Sequence, residues 1–243
     1  MLDAVFSADY FSPDGDGEND EMYITLSAED ESGIWSWMIE IYEPNSMDNL
    51  FVRLSGSGEP PTDLVWDGRS NITGELVQSA SDYVWQFTAT DTVGNMSILQ
   101  GVIPVDILVI REGDRLRVQV PSIVFGPNSG GFDGLTKDVI DNNTYILTRI
   151  AAVLNKFDSY QVSIEGHANP TAATAAARQR ENTSELQPLS EKRAKTVLDY
   201  LVNLGVARSR LSSVGIGGAR PVVSYEDHDN WWKNRRVEFI LIK

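Results

Sequence analysis

Apolar and polar residues alternate one for one through two stretches of the first hundred residues, which restricts those stretches to one kind of element. Trp35, Trp37, Ile39 and Ile41 stand against Ser36, Met38, Glu40 and Tyr42. Tyr83, Trp85, Phe87 and Ala89 stand against Val84, Gln86, Thr88 and Thr90. A period of two sends successive side chains to opposite faces, so both stretches are half-buried antiparallel strands. Turn chemistry separates them: Gly56-Ser57-Gly58-Glu59-Pro60-Pro61, Asp67-Gly68 and Asp91-Thr92-Val93-Gly94-Asn95. Several short strands at this spacing, without a helical stretch, predict an all-β sandwich of about 100 residues.

Past residue 106 the period changes. Residues 107–120, ILVIREGDRLRVQV, hold two strand-like runs around Glu112-Gly113-Asp114 and predict a hairpin. Ile146, Ile150, Val153, Leu154 and Phe157 then recur at helical spacing, with Asp141-Asn142-Asn143 expected to cap the helix. A strand is expected at 160–165, followed by a polar, alanine-rich insertion at 170–187. A second helix is expected to start at Ser190 as its N-cap and to stop at Gly205. Strands at 211–214 and 236–242 complete a β-α-β-α-β-β order, an α+β layer with two helices packed on a small mixed sheet.

Charge steps at the same place. Arg53 and Arg69 are the only basic residues of 1–106, against 20 acidic ones, whereas 107–243 carry 18 basic and 15 acidic residues. That step predicts two domains, 1–106 and 107–243. The acidic half repels nucleic acid and anionic lipid surfaces, so nucleic-acid binding is not expected. No run approaches the roughly 18 apolar residues of a membrane span. The start, MLDAVFSADYF, has neither a basic n-region nor a long apolar core, so no signal peptide is present in this chain, and Met1 is expected to replace a removed export signal. With no cysteine there are no disulfides or thiolate metal sites, which leaves the compartment open.

Two metal readings are weighed and set aside. Asp14-Gly15-Asp16-Gly17-Glu18-Asn19-Asp20 imitates the start of an EF-hand, but Asn19 stands at the glycine position and Thr25 at the bidentate glutamate position. A turn whose Asp and Asn side chains cap their own backbone fits better. His167 and His228 are the only histidines, too few for zinc without cysteine, and His228 lies in a polar stretch expected to be solvated. No metal and no cofactor is expected. There is also no Gly-rich phosphate loop, Gly-x-Ser-x-Gly elbow or cysteine nucleophile, so an enzyme is not expected.

Arg193 stands out on physical grounds. On a helical wheel Ala194, Val197, Leu198, Leu201 and Leu204 span one apolar arc, with Arg193 at its edge and Lys192, Lys195, Asp199 and Asn203 opposite. A charge on that side needs a partner or a wet cleft. In the first turn after Ser190, free N–H groups and the helix dipole favour an anion that Arg193 could grip bidentately. Two plainer alternatives are an arginine that snorkels over the core and one that pairs with Glu238. His167 is expected to orient the strand-end loop. Alternation sends Arg235 and Arg236 to opposite faces, so at most one reaches a cleft.

Four ordered patterns carry a resemblance: Ile164-Glu165-Gly166-His167-Ala168-Asn169, Leu189-Ser190-Glu191-Lys192-Arg193-Ala194, Val214-Gly215-Ile216-Gly217-Gly218-Ala219-Arg220-Pro221 and Asn234-Arg235-Arg236-Val237-Glu238. In this order they resemble the OmpA-like C-terminal domain family across roughly residues 120–243. The stretch around Trp231 and Trp232 is similar to spirochaete members in particular. In the first half, the run from Phe11 to Asp20 (FSPDGDGEND), Trp66-Asp67-Gly68 and Asp91-Thr92-Val93-Gly94-Asn95 resemble FlgD-like immunoglobulin-type domains, which are spacers or partner-binding modules. The implied fold class is two domains: an all-β Ig-like sandwich over 1–106, then an α+β OmpA-like domain over 107–243.

The OmpA-like resemblance implies a non-catalytic periplasmic cell-envelope protein, outer-membrane associated, that grips the diaminopimelate of peptidoglycan stem peptides non-covalently. In that family an aspartate closing a Gly-His-Thr-Asp pattern takes the ligand's ammonium, and an arginine in a Leu-Ser-x-x-Arg-Ala helix takes its carboxylate. Arg193 matches the arginine, Asn169 stands at the aspartate's place, and Arg236 is the third candidate contact. The chain departs from the pattern at Asn169, at Leu186 where members often carry asparagine, and in the 24-residue interval from Asn169 to Arg193. Losing the carboxylate is expected to weaken an ammonium contact about tenfold. The alternative is a divergent scaffold that has lost diaminopimelate binding and serves as a structural or protein-interaction module. Expected partners are peptidoglycan or a variant stem peptide, and an envelope protein docking on the acidic Ig-like domain.

Overall fold

Two sheets make up the first unit, Met1–Asp106, in a computed structural model that describes residues 1–44 and 46–243. One sheet runs β1-β2-β5, built from β1 (Leu2–Phe6), β2 (Met22–Ala28) and β5 (Leu64–Trp66). The other runs β4-β3-β6-β7, built from β3 (Ile34–Tyr42), β4 (Leu50–Ser57), β6 (Asp82–Asp91) and β7 (Met96–Pro104). All pairings within these two sheets are antiparallel. The alternating stretches are β3 and β6, as their period predicts. Aromatic rings of the two sheets meet between them: Phe6 of β1 and Trp85 of β6 are 5.0 Å apart, and Phe51 of β4 and Trp66 of β5 are 6.3 Å apart.

The turn motifs are structural. The Asp91 carboxylate accepts from the backbone N–H groups of Val93 and Asn95 and closes the β6–β7 hairpin. Phe11 packs on Trp66 at 5.0 Å, and Gly68, at φ 80°, lies under Pro13 and Phe11, where a Cβ would collide with Pro13. In the acidic loop the Asp20 carboxylate accepts from Gly15 and Gly17 N–H at 2.7 and 2.8 Å, and Asp16 accepts from Glu18 N–H at 2.8 Å. These carboxylates cap their own loop backbone.

The second unit, Ile107–Lys243, is a five-stranded mixed sheet of order β11-β10-β12-β9-β8 carrying helices. Its strands are β8 (Ile110–Glu112), β9 (Arg115–Val120), β10 (Gln161–His167), β11 (Leu211–Gly217) and β12 (Val237–Ile242); β10 and β11 are parallel. The β8–β9 hairpin turns at Gly113, whose φ of 61° suits the first position of a two-residue turn. Ile146, Leu147, Ile150 and Leu154 of α1 (Lys137–Lys156) and Ala194, Val197, Leu198 and Leu201 of α3 (Gln187–Asn203) are buried, as are Val162, Ile164, Phe239 and Leu241 of the sheet.

Helix starts differ from expectation. The first helix begins four residues before the Asp141-Asn142-Asn143 cluster, at Lys137. Asn143 is inside it, fully buried, and its amide pairs with both the N–H and the C=O of Val124 (3.0 and 2.7 Å), tying the helix to the preceding loop instead of capping it. The insertion is helical. Thr174 Oγ1 accepts from Ala177 N–H at the start of α2 (Ala175–Glu181), alanine being the strongest helix former. A π-turn over Asn182–Leu186 joins α2 directly to α3. Pro188 accounts for that wide turn: its ring clashes with a carbonyl four residues back and it has no N–H to give, so the ladder widens there. Ser190 is consequently inside α3 and not its N-cap. The C-terminus follows expectation: Gly205 at φ 91° donates to Val202 O, and Val206 N–H reaches Leu201 O, a Schellman pair.

Candidate functional site

A cleft of about 960 Å³ opens in the second unit between the loop after β9, the end of β10, the insertion and the start of β12. Asn169, Arg193 and Arg236 all border it, together with Phe125, Glu185, Trp232 and Arg235. The three candidate residues, far apart in sequence, are thus brought to one cavity, but their circumstances differ.

Arg193 is half-buried. Its Nε donates to Ser129 O at 3.1 Å, and its guanidinium lies over the Phe125 ring at 5.0 Å. Burial, and then the charge of Arg235 nearby, press its pKa below the usual arginine value, yet it stays a cation. Among the described residues no carboxylate pairs with it, and Glu238 is held by Arg236 instead (Nε to Oε1, 2.7 Å). The helix-terminus contribution falls away, because α3 continues backward into the π-turn and α2, and its early N–H groups are bonded within the helix. What remains is a half-buried guanidinium with open donors bordering a cleft.

Asn169 is 7% exposed and internally engaged. Its Oδ1 accepts from Asn234 Nδ2 at 2.8 Å and its Nδ2 donates to Pro170 O at 2.8 Å. Asn234, in α4 (Trp231–Asn234), also accepts from Val222 and Val223 N–H and donates to Val223 O, so the Asn169–Asn234 amide pair fixes the rim of the cleft. A carboxylate at 169 would lose the donor and face the Pro170 carbonyl. Asn234 was visible in the sequence pattern, but nothing in its spacing signalled this tether.

Arg236 is 5% exposed and forms the floor, donating to Glu238 and to Arg220 O. Arg235 is exposed, and it borders the same cleft, contrary to the expectation that only one of the pair would. Arg235 lies before β12, at the end of α4, where strand alternation does not apply.

His167 is buried between two acids, its Nε2 3.7 Å from Glu165 and 3.6 Å from Glu238. These are ion-pair distances, too long for hydrogen bonds. Ligand atoms of the three residues fall within 4.8 Å of one another, a spacing a metal could use. The charges are already met, however: Arg220 reaches Glu165 at 2.5 Å, Arg236 holds Glu238, and Arg117 stands 3.5 Å from Glu238. Arg117 is shared with Glu112 at 2.6 Å, so Glu165 and Glu238 are already engaged by Arg220 and Arg236, and a dication would have to displace these guanidiniums.

Burial lowers the His167 pKa below that of a free histidine; Arg236 and Arg220 push the same way, and Glu165 and Glu238 oppose them. A base whose native pKa is depressed binds fewer protons folded than unfolded between the two values. Stability is therefore complete above the ordinary histidine pKa and is lost as pH falls from there toward the native value. Proton NMR titration should place the His167 midpoint below the free value, and a midpoint at or above it would refute the assignment.

Residues 132–235 match the OmpA family. The chain is 32% identical over 126 residues to the peptidoglycan-binding protein ArfA of Mycobacterium tuberculosis, covering 52% of this chain and 35% of that protein. It is 36% identical over 91 residues to the peptidoglycan-associated lipoprotein of Mesorhizobium japonicum, covering 37% of this chain and 49% of that one. The chain thus spans a third to a half of the length of these relatives. A solved structure of the periplasmic domain of Helicobacter pylori MotB (residues 90–256) aligns at 19% identity and TM-score 0.45, covering 56% of this chain and 78% of that one. The similarity to the OmpA family thus lies within the second unit, over residues 132–235.

Proposed function

We propose that this protein is a non-catalytic component of the bacterial cell envelope, outer-membrane associated on the periplasmic side, whose second unit holds peptidoglycan stem peptide non-covalently. The observation that carries the reading is Arg193: a half-buried guanidinium, stacked on Phe125, turned to a roomy cleft and unpaired by any acid among the described residues. A half-buried cation kept without a counter-ion gives up part of its hydration, which a visiting anion repays, and a peptide carboxylate is such an anion. In this reading Asn169 and Arg236 shape the wall and floor, and Arg193 makes the decisive contact. The relatives named for peptidoglycan binding support the ligand class.

The first unit serves as an Ig-like, FlgD-type spacer or docking module for an envelope protein. Its seven strands in two sheets with a shared aromatic core, and its acidic surface, support that role. A second reading, a scaffold that has lost diaminopimelate, draws on the internal engagement of Asn169. Sedimentation with purified sacculi separates the two. Co-sedimentation that soluble muropeptides compete away supports peptidoglycan binding, and protein left wholly in the supernatant selects the scaffold.

A further inference from the structure

The cleft has two poles. Lys192, Arg193 and Arg235 border it with no acidic partner among the described residues, and two carboxylates, Glu181 and Glu185, face it from the insertion. Glu181 is committed: its oxygens accept from Thr171 N–H (3.0 and 3.1 Å), Ala172 N–H (2.9 Å) and Thr171 Oγ1 (3.0 Å). Burial opposes its ionisation, but those donors outweigh it and hold the carboxyl below its ordinary pKa. Glu185 is exposed and has no such donors. It is the one uncommitted acid of the cleft.

Its position is built, not incidental. The π-turn that carries Glu185 is pinned at Asn182, whose Oδ1 accepts from Gly218 N–H at 2.6 Å. It is also held through Glu181, which ties the preceding helix to residues 171 and 172. Eight residues separate Glu185 from Arg193 along one continuous helical path, a rise of about 12 Å. Both side chains border the same cavity, so it carries opposite charges on two parts of its wall, Arg193 on α3 and Glu185 on the π-turn.

We infer that Glu185, supplied by the helical insertion, receives the free side-chain amine of the bound stem peptide while Arg193 and Arg235 take its carboxylates. This rests on the peptidoglycan reading above. Asn169 cannot fill that role, its amide being buried and bonded to Asn234 and Pro170. The ligand class is a stem peptide carrying a diamino acid whose second amine is unsubstituted. The placement of the free charges sets its orientation, with the carboxylates toward Arg193 and Arg235 and the amine toward the insertion.

The test is calorimetric titration of the whole chain with two soluble muropeptides, one with the free side-chain amine and one with that amine acetylated. Glu185→Gln should weaken binding of the free-amine muropeptide about fivefold, as for a solvent-accessible ion pair. It should leave binding of the acetylated one unchanged, and Glu185→Asp should recover part of the loss. An equal loss with both ligands, or no loss with either, would overturn the role of Glu185 while leaving the peptidoglycan reading intact. Wild-type protein that binds neither muropeptide nor sacculi would overturn both. Glu185 is exposed, so a thermal melt of Glu185→Gln that matches wild type shows that any loss is local.

Discussion

Arg193→Ala is expected to release the protein from purified sacculi, with muropeptide affinity falling about 10- to 100-fold. Charge-assisted hydrogen bonds contribute about 1.5–3 kcal/mol each, and that range maps onto this loss. The expectation is at the upper end because Arg193 is already ordered: its Nε is held by Ser129 O and its plane by Phe125, so little ordering remains when a carboxylate arrives. Arg193→Lys should keep the charge and recover only part of the affinity, since an ammonium can neither stack on Phe125 in the same way nor grip bidentately. Folding should survive the alanine change, because no ion pair is lost among the described residues. Retention on sacculi undiminished in Arg193→Ala would remove the proposed site.

Much of this arrangement could be read from the chain, and the unread parts share a cause. Strands β3 and β6 were legible because the period of two carries Ile39, Ile41, Tyr83, Trp85 and Phe87 into the core, although Trp35 is exposed and Glu40 and Thr88 are buried on the other face. The Gly205 terminus was legible because a left-handed residue has few substitutes. Helix starts were not. Asp141-Asn142-Asn143 and Ser190 have cap chemistry, but tertiary partners claim the key side chains: Val124 takes Asn143, and Gly217 N–H takes Ser190 Oγ at 2.9 Å. The insertion was read as polar and alanine-rich but not as helical, because a proline inside it, Pro188, breaks the regular helical ladder. A π-turn absorbed the proline. At the site, Arg193 announced itself as a charge on an apolar arc. Glu185 had no such signal, being one acid in a polar segment, and only the folded insertion sets it at the cleft.

The second large effect concerns how α3, and Arg193 with it, is held against the sheet. At Gly166 and Gly215 the helix backbone lies directly on β10 and β11. A Cβ at Gly166 would fall within 3.0 Å of the Ser190 carbonyl, and one at Gly215 within 3.0 Å of Gln187 O and Glu191 N. Neither position has a positive φ, so the glycine is required by close approach and not by backbone conformation. The obstructing atoms are helix backbone, which cannot swing aside as a side chain could, so the whole helix must lift. Overpacking of this kind typically costs about 1–3 kcal/mol, and the rigidity of the obstacle argues for the higher figure. Gly215→Ala should therefore lower the melting temperature of the second unit by roughly 6–10 °C. It should also weaken the Glu191 carboxylate's hold on Gly215 N–H, and it should reduce muropeptide affinity although residue 215 does not border the cleft. A melt and a titration both indistinguishable from wild type would mean that α3 does not rest on the sheet at these glycines, and the placement of Arg193 would have to be argued again from a different helix position.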